Sequence, residues 1–126
     1  MKDKLKGLGM GLDLLLKASE GGGRQNPDPV RQNFEQAREW FNQALGKDED
    51  GNYLEAYYFY RRVADLSPSN DVEERRLLSQ ALNNIAIILY ENGQNKAALA
   101  QLEKALAVDS DNQVARDNLA MLIQEV

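Results

Sequence analysis

Two stretches of this chain, offset by 42 residues, match one another without a gap. Gly51 meets Gly93, Ala56 meets Ala98, Tyr60 meets Leu102, Val63 meets Ala105, Leu66 meets Val108 and Asn70 meets Asn112. In the preceding segment Trp40 meets Leu82 and Ala44 meets Ala86. Self-similarity at a fixed period restricts a fold more than composition does. Each copy must make the same supersecondary unit and bury its apolar face against the next copy. The matched units are 37–70 and 79–112, 34 residues each, separated by the eight residues from Asp71 to Leu78. A half-unit follows at a spacing of 34, where Ile85, Ala86 and Leu89 become Leu119, Ala120 and Ile123.

Inside each unit the apolar residues recur at three and four, the helical period. Val30, Phe34, Ala37, Phe41, Ala44 and Leu45 form such a stripe between Asp28 and Gly46, and Asp28-Pro29 is a helix start signal. Lys47 to Gly51 reads as a polar turn, after which Asn52 caps a second helix with Glu55 as its capping-box partner. Pro68 stops that helix. Asn70 or Asp71 starts a third, favoured by Glu73 and Glu74 at its positive end, which runs to Asn92-Gly93. The eight spare residues lengthen its start by about two turns. A fourth helix carries Ala97 to Val108, and Ser110, with Gln113 in the box position, caps a fifth. Short turns imply antiparallel neighbours. Ala44, Ala56, Ala86 and Ala98 let paired helices approach, and larger residues fill the gaps. In the aromatic run, Tyr53, Tyr57 and Tyr60 are expected in the core, with Tyr58 or Phe59 left as an exposed contact.

The chain therefore reads as all-α, with an N-terminal amphipathic segment (1–20), a linker (21–28) containing Gly21-Gly22-Gly23 and Pro27, and a repeat domain (29–126) closed by a terminal helix at 112–125. Leu5, Leu8, Leu12, Leu15 and Leu16 make an apolar stripe at helical spacing in the first segment. Such a stripe needs a surface, and its own repeats, a second subunit or a membrane all qualify. Docking on protein is expected. About three repeats are normally needed for stability. The long third helix and the N-terminal segment are expected to supply the missing burial.

Composition excludes more than it identifies. There is no Cys and no His. Disulfides, thiolate metal sites and cysteine nucleophiles are ruled out, and the commonest general base and metal ligand are missing. No constellation of tunable groups converges elsewhere, so the chain is read as a non-enzyme with no cofactor and no metal. Asp48-Glu49-Asp50-Gly51-Asn52 resembles a calcium loop only until the register is set. With Gly51 as the central glycine, Gly46 and Tyr57 would fall on ligand positions, and neither can serve. Gly7, Gly9 and Gly11 follow no strand and precede no Gly-Lys-Ser/Thr, so they are not a phosphate loop. The net charge is −5, divided as +2 on residues 1–25 and −7 on the remainder. An acidic body argues against nucleic acid as a partner, while the basic start permits peripheral contact with a membrane. No apolar run is long enough to span a bilayer. Leu12 to Leu16, interrupted by Asp13, makes a poor signal-peptide core. The expected location is cytoplasmic, with an organelle or a membrane surface as alternatives. Oligomeric state is left open.

The spacing of Trp40, Ala56, Tyr60 and Pro68, and of Ile85-Ala86, Leu89, Ala98 and Ala105, resembles the tetratricopeptide repeat family. Gln43 and Lys47 depart from its apolar and aromatic preferences, Ser110 from its proline, and Arg116 from its large apolar residue. The resemblance implies a short right-handed superhelix of antiparallel helix pairs, about two and a half repeats long. It also implies that the first helix of each repeat lines a concave groove. The groove residues would be Arg38, Phe41 and Leu45 from the first unit, then Gln80, Asn83, Asn84, Ile87 and Tyr90 from the second, then Asn118 and Met121. Mid-helix asparagines cost helix propensity, and their amides can hold a peptide backbone. A carboxylate clamp of the cochaperone kind is not expected, because Phe41, Leu45, Val114 and Asn118 stand where its Lys and Arg would be. The implied function is a non-catalytic adaptor or assembly subunit that holds a partner's peptide or helix. The alternative is a chaperone or assembly factor that shields an apolar client segment.

Overall fold

The computed structural model describes residues 29–66 and 70–125. The N-terminal segment with Leu5, Leu8, Leu12, Leu15 and Leu16, its linker, and the stop expected at Pro68 lie outside the described residues. Within them the regular structure is helical: α1 (Pro29–Glu49), α2 (Tyr53–Ala64), α3 (Val72–Glu91), α4 (Asn95–Val108) and α5 (Gln113–Ile123). Each helix packs on the next in sequence, and α1 also touches α3 along a narrow strip.

The period seen in the sequence reappears as backbone geometry. After α1, the amide of Gly51 donates to the carbonyl of Asp48 at 3.0 Å and that of Asn52 to Lys47 at 2.8 Å. After α3, Gly93 donates to Tyr90 at 3.0 Å and Gln94 to Leu89 at 2.8 Å. These are the same two crossed bonds, displaced by one period, and they satisfy carbonyls that a helix end leaves open. The motif needs a residue in the left-handed region, and Gly51 and Gly93 supply it at φ 82° and 83°.

The core has two compartments. Phe34, Ala37, Phe41, Ala44, Ala56, Tyr60 and Val63 fill the first, together with Leu77, Ala81 and Ile85 of α3. The other side of α3, Leu78, Leu82, Ala86 and Tyr90, fills the second with Ala98, Leu102, Ala105, Ala115 and Leu122. The third helix is long because both of its sides are buried. The matched alanines Ala44, Ala56, Ala86 and Ala98 are fully enclosed, as close helix approach requires.

Three local expectations are corrected. First, α1 does not end at Gly46 but continues to Glu49. Lys47 reaches forward to Glu55 at 2.9 Å, and Asp48 accepts a hydrogen bond from Tyr60, so the residues read as a turn are held in helix. Glu55 is thus engaged by Lys47, and Asn52 makes no side-chain capping bond. Second, α5 is capped by Asn112, not Ser110; the Asn112 side chain accepts from the amide of Ala115 at 3.0 Å. Asp71 caps α3 in the same way, accepting from Glu74 at 3.1 Å. Third, Tyr53 is not in the core. It is 50% exposed, because it lies one turn outside the Ala56, Tyr60 and Val63 face of α2.

Candidate functional site

The groove residues expected from the sequence divide into two groups. Arg38, Phe41, Gln80, Asn83, Asn84, Tyr90 and Asn118 are buried, whereas Leu45, Ile87 and Met121 are half-buried. Several side chains of the first group make close contacts with their neighbours in the fold. Phe41 packs on Tyr60 with ring centroids 5.5 Å apart. The Arg38 guanidinium lies over the Phe34 ring at 5.7 Å. The Tyr90 hydroxyl donates to Glu125 at 2.7 Å, which ties α3 to the residues after α5.

The asparagines form a relay inside the fold. Asn118 of α5 donates to Asn83 at 2.8 Å, Asn83 donates to Asn84 at 3.1 Å, and Asn84 donates to the Tyr60 hydroxyl of α2 at 3.2 Å. Tyr60 in turn donates to Asp48 of α1 at 2.9 Å. Every donor points the same way along the chain of bonds, toward the carboxylate, an arrangement in which each bond polarises the next. Burial holds the Tyr60 hydroxyl far above its ordinary range, and the negative charge of Asp48 adds to the effect. Half-burial raises the Asp48 carboxyl above the usual carboxylate value, the Tyr60 hydrogen bond opposes that rise, and the nearby Glu91 charge reinforces it. A second buried set links the repeat boundaries: Asn112 donates to Ser79 at 2.8 Å, and Ser79 donates to the carbonyl of Ala105 at 2.8 Å.

Open surface chemistry lies elsewhere. A cleft of about 480 Å³ is bounded by the ends of α1 and α3, the first turn of α2 and the turn before α4. Tyr53, Leu54, Tyr57 and Ile87 form apolar walls, and Asp48 and Glu91 stand among them. Leu54, in the first turn of α2, is 81% exposed, a high value for a leucine. Neither Asp48 nor Glu91 has a cationic partner among the described residues; the nearest lysine in sequence, Lys47, is taken by Glu55. The cleft is therefore apolar in its walls and negative at its edge. Of the residues expected at the binding surface, Ile87 lines it; Tyr53, Leu54 and Asp48 were not anticipated there. The available signal was angular. Leu54 is two residues before Ala56, which places it about 200° around the helix from the buried face at about 100° per residue. A smaller cleft of about 200 Å³ lies between Arg76, Gln80, Asp109 and Gln113. The Gln80 side-chain oxygen beside it is buried without a hydrogen bond. On the outer side of α2, the Arg62 guanidinium sits between the rings of Trp40 and Tyr58, at 4.8 and 5.4 Å.

Comparison with known proteins turns on the second unit. Residues 79–112 match the family model described as tetratricopeptide repeat, with the same boundaries as the second unit of the internal match. Over residues 79–112 the chain is similar to a tetratricopeptide repeat. Its two helices are the greater part of α3 and the whole of α4, joined by the Gly93 turn. Tetratricopeptide repeats are in general protein-protein interaction modules and are typically not catalytic. The chain has no match among the curated proteins and none among the solved structures. Among the described residues, no group of three or more potential ligands could hold a metal ion, and no helix is long and apolar enough to cross a membrane.

Proposed function

We propose that this chain is an adaptor or assembly subunit that holds a peptide or helix of a partner protein, and that it does so at the Tyr53–Leu54–Tyr57–Ile87 cleft. The observation that carries this reading is the exposure of Leu54 and Tyr53 beside an open apolar volume, in a domain whose other large apolar residues are mostly packed. Exposed aromatic and leucine side chains around a concavity are the usual anchors of helix-in-groove recognition. Asp48 and Glu91 at the edge favour a ligand with a basic residue beside its apolar one. The buried asparagine relay supports the same reading indirectly, because it holds α1, α2, α3 and α5 in one register and keeps the cleft walls fixed.

The test is affinity capture with the full chain beside a Leu54→Asp variant and a Tyr58→Ala variant. Leu54 is a cleft wall, while Tyr58 is also exposed but lies outside the cleft. A stoichiometric partner lost with Leu54→Asp and kept with Tyr58→Ala is the expected result. A partner that survives Leu54→Asp unchanged rejects the cleft. Capture that is substoichiometric and transient for every form favours the chaperone reading over the adaptor.

A further inference from the structure

The cleft has apolar walls and a negative edge with no cationic partner among the described residues, and one stretch of the same chain has both complementary properties. We propose that residues 1–20 dock into the cleft formed by Tyr53, Leu54, Tyr57 and Ile87, as an internal ligand that a partner must displace. The proposal rests on the reading of the cleft as a binding site and names its resident occupant.

The first line of support is chemical. Leu5, Leu8 and Leu12 recur at three and four and so share one helical face. Lys2, Lys4 and Lys6 flank the first of them. They would meet Asp48 and Glu91, which have no cationic partner among the described residues. The charge division of the whole chain runs the same way, +2 on residues 1–25 against −7 on the rest.

The second line is reach. Asp48 lies near the far end of α1 from Pro29, and a 21-residue helix is about 31 Å long at about 1.5 Å per residue. The linker 21–28 can span about 26 Å when extended, at about 3.3 Å per residue. Residues 5–20 add about 24 Å even at the short rise of about 1.5 Å per residue. The two together exceed the distance to be covered, with enough left for the chain to reverse. Running back along α1, the segment brings Leu5 and Leu8, and not Leu15 and Leu16, to the end where the cleft opens. A tether of this length also gives an effective concentration on the order of millimolar, so modest contacts suffice.

Cysteine trapping tests the proposal directly, because the chain has no Cys of its own. The full-length double variant Leu8→Cys with Leu54→Cys is oxidised with oxidised glutathione and followed on non-reducing gels. The reference is Leu8→Cys with Glu103→Cys, since Glu103 is exposed on α4 and does not line the cleft. The expected result is an intramolecular disulfide that forms at least tenfold faster with Leu54→Cys than with Glu103→Cys. Adding Leu5→Asp and Leu12→Asp should remove that advantage. Equal rates at the two positions would overturn the proposal, and so would a product that migrates as a crosslinked dimer, which would make a second copy the occupant. Neither failure touches the cleft as a partner site, which the Leu54→Asp capture decides separately.

Discussion

The two matched units solve the same packing problem with different chemistry. Both have a Gly turn, a pair of enclosed alanines and a large buried residue about two turns into the second helix. That large residue is Tyr60 in the first unit and Leu102 in the second. Leu102 ends in methyl groups and asks nothing of its neighbours except contact. Tyr60 brings a hydroxyl into a closed space, and the hydroxyl must be satisfied. It is satisfied from both sides, by Asp48 as acceptor and Asn84 as donor, and from Asn84 the hydrogen bonds continue to Asn83 and Asn118. The phenol thus joins the first compartment by hydrogen bonds to α3, which an isobutyl group could not do. The repeat supplies the scaffold, and departures from its average supply the cross-links.

The comparison is broken most severely by removing the bulk itself. Leu102→Ala in the second unit should cost about 2–5 kcal/mol in denaturant unfolding, the range for a buried leucine that leaves a cavity. A much smaller loss would mean that the second compartment collapses onto the gap. Tyr60→Phe keeps the ring and removes only the hydroxyl, leaving half-buried Asp48 and buried Asn84 each short of a partner. The expected loss is about 1–3 kcal/mol, and an unchanged midpoint would show that the relay contributes nothing to stability.

The pH dependence sharpens the same contrast. Because the folded-state value for Tyr60 lies above its ordinary 10.0, the stability it confers is complete below that pH and declines above it, as the unfolded chain loses a proton that the folded chain keeps. The wild-type protein should lose up to about 1.4 kcal/mol per pH unit more than Tyr60→Phe above about pH 10. Parallel pH profiles for the two proteins would contradict the burial of this hydroxyl. At the repeat boundaries, Asn112→Ala should cost about 1–2 kcal/mol, since it removes a cap and also a donor to buried Ser79. Asp71→Ala, at an exposed cap, should cost about 1 kcal/mol or less. Equal losses would deny the Ser79 contact any weight. The smallest effect has the opposite sign. Gly46 lies inside α1, has no atom within 4 Å of where a Cβ would stand, and corresponds to Ile88 in the second unit. Gly46→Ala should stabilise the protein by about 0.5–1 kcal/mol, measured by thermal unfolding.

The helices and their pairing were legible because apolar spacing and Gly turns are local properties. Gly51 and Gly93 announced both turns, and Ala56 and Ala98 both close approaches. The candidate site was far less legible. A mid-helix asparagine costs propensity whether it faces a peptide or another asparagine, so Asn83, Asn84 and Asn118 gave the same signal for either role. Their burial depends on pairing across 35 residues, between Asn118 and Asn83, which no window on one helix contains. The end of α1 was misplaced for a related reason. Gly46 and the charged run after it look like a turn, and the contacts that keep them helical, Lys47 to Glu55 and Asp48 to Tyr60, come from the following helix. Leu54 carries the same apolar signal as its neighbours in α2, and only its angular position separates it from Ala56 and Tyr60.

The third helix is the common wall of both compartments, with Leu77, Ala81 and Ile85 turned one way and Leu78, Leu82 and Ala86 the other. A party wall of this kind leaves neither tenant able to move out alone. Melting either half strips apolar area from the helix the other half needs, so the two units should come apart in a single step.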